Sequence, residues 1–535
     1  MMNKFFNYYN SLCVGANAPA VFAFDPYVTA IKELFVSELQ QIVYYIEKLK
    51  SLSVDMSDYT DKVIEFVSVL IVNLDFRKES FFVIMEDLYN NKKMLEKMYI
   101  SACEKAEKTP KPLSETSMDL SSKEIILKAL NEREKNINNK DFQQDFSRNR
   151  KILYEIMINL VLNSCNCLIE LKGFNVDFEK AKNQVLKLLN TTNIPSLTDE
   201  ELIVVIKNFS LCNYKIMKLL YSTITEKFGP VIKKDVPLSY KKGKAILVSG
   251  HSVQYLEKIL IAVKGLNINV YTHHEMINAF QYEKFSKYSN LTGHYQKSNN
   301  NFSLDFASFP GPIYISKNSS PKIDVIRGQI YTASKYPAFG IAKIENDDFS
   351  PLIQYALDSK GFEDDLENHC IKIGYTKSEI SEKIELIKDK VIANEINNIF
   401  IIGLIDKFNL SNDYIKDFMK HAAENDFIIS FSYSIERENF WHVNSYYDFA
   451  ALYKIIELLS DKIPDFSKRA AVFLTDCNSN IISHIFNLIH LNIQNIFLGS
   501  CCPNIVNPAL VDGLTDMFNV KPLSNALEDI NSIEK

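Results

Sequence analysis

The sequence predicts a multidomain α + α/β protein, in which an N-terminal helical bundle domain is followed by two parallel α/β domains. Three observations support this fold class. Apolar residues recur at helical spacing through about the first 225 residues. A polar stretch with two prolines follows at residues 228–244. Beyond it, short apolar runs alternate with helical periodicity, which is typical of parallel sheets covered by helices.

The predicted helical domain covers residues 1–227. Apolar side chains follow one helical face in residues 30–50, and residues 104–150 are highly charged, which favours a loop followed by a helix. Further helices are expected at residues 61–74, 78–100, 152–171, 177–190 and 198–226. Several apolar helices in succession predict a bundle.

The two predicted α/β domains cover residues 245–390 and 391–535, and residues 228–244 are expected to form a linker. Strands are expected at residues 245–249, 268–271, 313–315 and 329–331 in the first domain, and at 398–403, 427–431, 470–474 and 493–498 in the second. The chain contains neither a Walker A motif nor a G-x-G-x-x-G motif, so a nucleotide cradle is not expected.

Composition restricts the class of protein. A net charge of −6 argues against nucleic acid as the main partner. No apolar stretch reaches the roughly 20 residues of a membrane span, so a membrane segment is not expected. The expected compartment is cytoplasmic, with an organelle matrix as the alternative. The nine cysteines contain no C-x-x-C motif, which indicates buried thiols more than a disulfide scaffold or a cluster-binding set.

Polar residues follow two apolar runs at the centre of the chain. Residues 247–251 end in His251, and residues 270–276 contain His274 and Glu275. The carboxyl ends of strands are where α/β folds place ligands, so His251 and Glu275, with His274, are candidate ligands of one metal. The alternative is that the two residues cap helices or bond within the core. No base is expected beside Ser249, so a serine nucleophile is not supported.

The chain resembles the hybrid-cluster protein family, also called hydroxylamine reductase or prismane protein. The matching runs, which keep the family's order along essentially the whole chain, are residues 247–251, 269–276, 309–311, 348–351 and 490–499, with looser matches at 45–50 and 72–76. This resemblance implies a helical domain followed by two Rossmann-like domains. That architecture agrees with the domains predicted from the spacing of apolar residues.

The resemblance also implies two iron–sulfur centres. The family holds a [4Fe–4S] cubane near its N-terminus through four cysteines. It holds a hybrid Fe–S–O cluster where three domains meet, through one histidine, two glutamates and four cysteines, and it reduces hydroxylamine or nitric oxide. The resemblance places the histidine at His251 and the first glutamate at Glu275. The four cysteine positions and the second glutamate position carry other residues here, namely Ser319, Ile405, Tyr433, Tyr446 and Asn478. Near the N-terminus only Cys13 is a cysteine.

Iron–sulfur clusters need thiolate ligands, which serine, isoleucine and tyrosine do not supply. The first hypothesis is therefore a member of the family without iron–sulfur centres, cofactor or redox catalysis. Such a pseudo-enzyme would act as a structural or partner subunit that associates with itself or with a paralogue.

Two alternatives remain open at this stage. The first is an iron–sulfur oxidoreductase that reduces hydroxylamine or nitric oxide and draws ligands from Cys477, Cys501 or Cys502. The second is a simple mononuclear site, in which His251 and Glu275 bind a single divalent metal.

Overall fold

The structure, a computed structural model, describes most of the chain. The described residues are 26–69, 78–111, 120–138, 148–191, 194, 196–296, 302–316, 329–337, 341–366, 369–403, 412–431, 434–446, 448–474, 480–499 and 508–533.

The N-terminal part is helical, as predicted. Its described helices are α1 (Pro26–Ser51), α2 (Ser57–Val69), α3 (Lys78–Lys105), α4 (Lys123–Asn138), α5 (Arg148–Gly173), α6 (Glu179–Thr191) and α7 (Asp199–Phe228). The start of α7 is defined by a capping box, in which the Thr198 side chain accepts from Glu201 N and the Glu201 carboxylate accepts from Thr198 N. Gly229, with φ +87°, ends it.

Helix α5 contains a long apolar stretch. Its segment Asn149–Gly173 is long and apolar enough to cross a membrane, which the sequence expectation did not foresee, and it is the one such helix in the described residues. Its most apolar part, of mean hydropathy 1.6, is 67% buried inside the protein. It packs against α2 and α7. A helix that is apolar on most sides and packed in this way forms the centre of the helical domain.

Two six-stranded sheets follow, and every strand pair within them is parallel, as predicted. The first contains β2 (Lys244–Ser249), β3 (Ile268–His273), β4 (Leu291–His294), β5 (Ile313–Ile315), β6 (Ile330–Thr332) and β7 (Ala342–Lys343). The second contains β9 (Ile399–Ile402), β10 (Phe427–Ser430), β11 (Phe440–His442), β12 (Ala470–Leu474), β13 (Asn495–Leu498) and β14 (Val520–Pro522).

Helices connect and cover the strands. They are α8 (Val253–Ala262), α9 (Phe302–Ser308), α10 (Ser350–Asp358), α11 (Lys377–Ile392), α12 (Asn412–His421), α13 (Phe449–Lys462), α14 (Phe466–Arg469), α15 (Ile481–His490), α16 (Pro508–Phe518) and α17 (Ala526–Asn531). Two 3₁₀ helices, His274–Gln281 and Glu283–Lys287, follow β3.

Both sheets have the strand order of a doubly wound α/β fold. The first runs β4-β3-β2-β5-β6-β7 and the second β11-β10-β9-β12-β13-β14. In each sheet, the first strand of the chain lies at the centre. The next two strands lie on one side of it in sequence order, and the last three lie on the other side. The strand order reverses beside β2 in the first sheet and beside β9 in the second. Ligands of such folds bind at the carboxyl ends of the strands at this point.

The segment expected to be a linker contains a strand. Residues Lys234–Pro237 form β1, which pairs antiparallel with β8 (Cys370–Ile373). Val236 is fully buried there although its neighbours are polar. The linker prediction relied on the prolines of this segment. Pro237 is compatible with β1 because it is the last residue of the strand, where the missing N–H of proline is tolerated.

Buried amides join the helical domain to the second α/β unit. Asn213 in α7 accepts from Asn163 Nδ2 at 3.2 Å and from Ser164 Oγ at 3.0 Å. Its own Nδ2 donates to Asn487 Oδ1 in α15 at 2.7 Å. All four residues are at most 5% exposed, so their polar groups cannot bond to water in the folded protein. These bonds take the place of the bonds to water that the unfolded chain makes.

The same network reaches a buried histidine. Asn487 Nδ2 lies 3.0 Å from Tyr453 Oη, and Tyr453 Oη lies 2.6 Å from His484 Nδ1. Burial lowers the pKa of His484 to about 3, so its imidazole is neutral at physiological pH. Burial also raises the pKa of Tyr453 well above its usual range. The network therefore carries no net charge.

We expect Asn213→Ala to lower the free energy of unfolding by about 2–3 kcal/mol, because it leaves buried partners without a hydrogen bond. The exposed Asn208→Ala in the same helix is the matched control and should change it by less than about 0.5 kcal/mol. Urea denaturation followed by circular dichroism measures both. Equal effects of the two variants would contradict a stabilising role for the network.

The neutral state of His484 makes stability depend on pH. An unfolded histidine titrates near 6.5, whereas the pKa of folded His484 is about 3, so between these values the unfolded chain binds the additional proton. This group therefore lowers the free energy of unfolding by up to about 1.4 kcal/mol per pH unit as pH falls below about 6.5. We expect His484→Gln to reduce that slope by about one proton in urea titrations at several pH values. An unchanged slope would contradict the neutral assignment.

Candidate functional site

The candidate site lies at the carboxyl ends of β2 and β3. The two strands pair in parallel with Ser249 opposite His273, so they end at the same level. His251 comes two residues after the last residue of β2, and Glu275 two residues after the last of β3. His251 Nδ1 lies 3.8 Å from Glu275 Oε2. The structure thus brings the two predicted site residues together.

Burial affects the protonation of Glu275. The side chains of His251 and Glu275 are 28% and 23% exposed, yet protein surrounds the carboxylate closely. Desolvation raises the pKa of Glu275 above its usual value, and the nearby His251 opposes part of that increase. Glu275 is therefore protonated more readily than an exposed glutamate.

His274, the third candidate ligand, sits between the two strands' ends in a left-handed conformation with φ +58°. It is the first residue of the 3₁₀ helix His274–Gln281. Burial, with smaller contributions from the neighbouring His273, His294 and His251, lowers its pKa to about 3. His274 is therefore a neutral imidazole at physiological pH. This is the form in which histidine binds metals.

A buried histidine that the sequence analysis did not single out lies beneath the pair. His273 Nδ1 lies 2.8 Å from Ser249 Oγ, and His273 Nε2 lies 3.4 Å from Asp305 Oδ2. The expectation that no base lies beside Ser249 is therefore wrong. Ser249 and His273 are fully buried and Asp305 is 1% exposed, so no substrate reaches the serine and a hydrolytic role does not follow.

The turn after β2 is built on glycine and serine. Gly250 has φ +111°, and a Cβ there would lie 2.0 Å from Ser316 Oγ, so a larger residue does not fit. Ser316 follows β5, and its Oγ accepts from His251 N at 3.0 Å and from Ser252 N at 3.3 Å. The ends of three neighbouring strands are therefore joined by hydrogen bonds around His251.

The helical domain reaches this turn through Glu170 in α5. Ser252 Oγ donates to Glu170 Oε2 at 2.8 Å, and Gln254 Nε2 donates to the same oxygen at 2.8 Å. These bonds connect the end of the helical domain to the first residues of α8. The turn that carries His251 therefore lies at the junction with the helical domain.

The second α/β unit contacts the residues after Glu275. Asn278 Nδ2 donates to the carbonyl of Tyr446 at 2.6 Å, and Gln281 Nε2 donates to Asp448 Oδ2 at 3.2 Å. Ser445 Oγ donates to Asp448 Oδ2 at 2.7 Å and lies 3.1 Å from Gln281 Oε1. The candidate site therefore lies where the helical domain and both α/β units meet.

Tyr446 is the one replaced family position that the structure describes. It is 9% exposed and belongs to the main apolar core. The other replaced positions, Ser319, Ile405, Tyr433 and Asn478, lie outside the described residues, as do Cys13, Cys477, Cys501 and Cys502. Their assignments, and the ligand roles of His251 and Glu275, stay predictions.

The donors among the described residues do not by themselves make up the ligand set of an iron–sulfur cluster. His251 and Glu275 supply one imidazole and one carboxylate, and among the described residues no group of three or more His, Cys, Asp or Glu side chains is arranged to hold a metal. Burial raises the pKa of Cys167 to about 12 and that of Cys212 to about 11, so these thiols are protonated at neutral pH. An iron–sulfur cluster needs thiolate ligands.

Comparisons with known proteins identify relatives. Residues 26–431 match the family described as "Prismane/CO dehydrogenase family". The protein named "Hydroxylamine reductase" from Maridesulfovibrio salexigens is 29% identical over 339 residues, which cover 60% of this chain and 63% of the relative. The protein of the same name from Thermodesulfovibrio yellowstonii is 28% identical over 341 residues, which cover 60% and 62%. The chain thus matches less than two thirds of the length of these relatives.

A solved structure shows a weaker likeness. It is described as "NiZn[Fe4S4] and NiNi[Fe4S4] clusters in closed and open alpha subunits of acetyl-CoA synthase/carbon monoxide dehydrogenase". The TM-score is 0.48 at 9% identity, over 93% of this chain and 82% of the other. No conclusion about this chain rests on that likeness.

The family matches confirm the resemblance that the sequence motifs predict. The matched segment includes the helical domain, the whole first sheet and the first two strands of the second sheet. Because this segment is more than half of its length, the chain belongs to the Prismane/CO dehydrogenase family.

Proposed function

We propose that this chain is a prismane-family protein that has lost its iron–sulfur centres and redox catalysis and acts as a structural or partner subunit. One observation carries the proposal. The positions that the resemblance assigns to the four cluster cysteines hold Ser319, Ile405, Tyr433 and Tyr446. Neutral hydroxyl, alkyl and phenol groups do not hold iron together with inorganic sulfide.

The environment of Tyr446 supports this proposal. Its ring fills space in the main apolar core, and its carbonyl accepts the bond from Asn278 that ties the second α/β unit to the first. In cluster-containing proteins the metal contributes to folding. Here a packed aromatic side chain supplies that contribution instead.

The role as a subunit is part of the proposal. Without catalysis, the three-unit architecture would serve as a binding surface, and its partner would be a second copy of this chain or a paralogue. We place the protein in the cytoplasm, without nucleic acid or a membrane as partner. The net charge of −6 is consistent with this, because nucleic acids and anionic membrane surfaces repel a negatively charged protein.

A second candidate function is reduction of hydroxylamine or nitric oxide by an iron–sulfur enzyme. It is favoured by the name of the relatives and by the 3.8 Å separation of His251 and Glu275. It requires thiolates from Cys477, Cys501 or Cys502. A third candidate is a mononuclear metal site, for which His251, Glu275 and the neutral His274 are a suitable nitrogen and oxygen set.

We expect protein purified without oxygen to contain neither stoichiometric iron nor acid-labile sulfide, because the thiolate ligands are replaced. Metal analysis and a sulfide assay measure this. The same preparation should not reduce hydroxylamine with a reduced viologen donor. The hydroxylamine reductase of Maridesulfovibrio salexigens, purified in parallel, controls for cluster loss during preparation. Stoichiometric iron with sulfide would contradict the proposal, and iron or zinc without sulfide that His251→Ala removes would favour the mononuclear site.

We expect Tyr446→Ala to lower the free energy of unfolding by about 3–5 kcal/mol, because it leaves a cavity in the core. Tyr446→Phe keeps the ring and is the matched control, with an expected loss of about 1 kcal/mol. Thermal unfolding, with and without added iron and sulfide, measures both. Tyr446→Cys should be destabilised like the alanine variant under either condition. If iron and sulfide stabilised the unaltered chain, the filling role of Tyr446 would be refuted.

A further inference from the structure

The imidazole of His273 is held at both of its nitrogens. Nδ1 lies 2.8 Å from Ser249 Oγ, and Nε2 lies 3.4 Å from Asp305 Oδ2. A carboxyl oxygen accepts hydrogen bonds, and an Nε2–H group that faces Asp305 Oδ2 fits this contact. Nδ1 then accepts from the Ser249 hydroxyl. The surroundings thereby select one tautomer and one ring orientation, and all three groups are shielded from water.

This chain of bonds continues to His251. The carbonyl of Ser249 accepts from Ser316 N at 2.9 Å and from Ser316 Oγ at 3.3 Å. Ser316 Oγ in turn accepts from His251 N at 3.0 Å. The side chain of Ser249 thus bonds His273, while its backbone bonds the serine that fixes His251. Hydrogen bonds through Ser249 and Ser316 therefore connect His273 to the turn after β2.

His273 also lies at the start of the helix that carries Glu275. His273 is the last residue of β3 and the cap of the 3₁₀ helix His274–Gln281. The next residue, His274, has φ +58°, a left-handed conformation that costs free energy for a residue with a Cβ. It lies directly between His273, whose ring contacts Ser249 and Asp305, and Glu275.

We propose that His273 is a positioning residue that holds His251 and Glu275 facing one another, and that the protein alone sets this geometry. Asp305, in α9, selects the tautomer of His273, and Ser249 joins the ring to the neighbouring strand. The pair is therefore organised before any metal or ligand arrives. This inference concerns the apo protein, so it stands or falls separately from the proposed loss of the iron–sulfur centres.

The test is NMR spectroscopy of metal-free protein labelled with [¹⁵N]histidine. The protein contains nine histidines, which keeps the spectrum simple, and single substitutions assign each signal. We expect the ring nitrogens of His273 to report a fixed Nε2–H tautomer. We expect Asp305→Ala to shift the backbone amide signals of His251 and His274. Asp305→Asn keeps an oxygen that accepts from Nε2–H, so it should restore the original positions.

Two controls separate positioning from general destabilisation. Thr272→Val removes the neighbouring bond between Thr272 Oγ1 and His294 Nδ1, which is 2.9 Å long and equally buried, and should leave the His251 and His274 amide signals in place. The signals of His484 and His490 in the second α/β unit should not move in any of these variants.

Either of two results would overturn the inference. Asp305→Ala and Ser249→Ala could both fold and leave the His251 and His274 signals unchanged, or Thr272→Val could move them as far as Asp305→Ala does. If Asp305→Ala does not fold, Ser249→Ala, which removes one hydroxyl, gives the same comparison against Thr272→Val. An Nδ1–H tautomer of His273 would also refute it.

Discussion

The site depends on one constraint, the parallel pairing of β2 with β3 in a register that sets Ser249 opposite His273. Parallel strands end at a common edge, so the residues that follow them meet without a long loop. The bond between Ser249 Oγ and His273 Nδ1 closes this edge in a fully buried position. A slip of one residue would turn both side chains to the opposite face of the sheet and separate His251 from Glu275.

Central strands were predictable from the sequence and edge strands were not. Every residue of β9, β10, β12 and β13 is buried, so these strands appear as continuous apolar runs. The edge strands β4, β7, β11 and β14 have two to four residues and include polar side chains such as His294, Lys343, His442 and Lys521. These edge strands form because they pair with a neighbouring strand. The local pattern of apolar residues does not reveal that pairing.

The candidate pair was predictable, but the groups that hold it were not. His251 and Glu275 follow strand-like runs, so their meeting could be inferred from topology. Asp305 approaches from α9, a seven-residue helix that the apolar pattern did not predict. Glu170 comes from the end of α5, and Ser445 from the second α/β unit. Such contacts arise only when three units pack together, and spacing along the chain carries no signal for them.

Burial sets the protonation of the side chains around the site. Burial keeps His274 and His294 neutral, each with a pKa of about 3, and raises the pKa of Glu275. Without iron, a buried cysteine would not stay ionised, since the low polarity that raises the pKa of Cys167 to about 12 would act on it as well. Protonated thiols would then line a cavity that neither metal nor side chain fills. The buried Tyr446, at a position that the resemblance assigns to a cysteine, would avoid both the desolvation of charge and the empty space if the centres are lost as proposed.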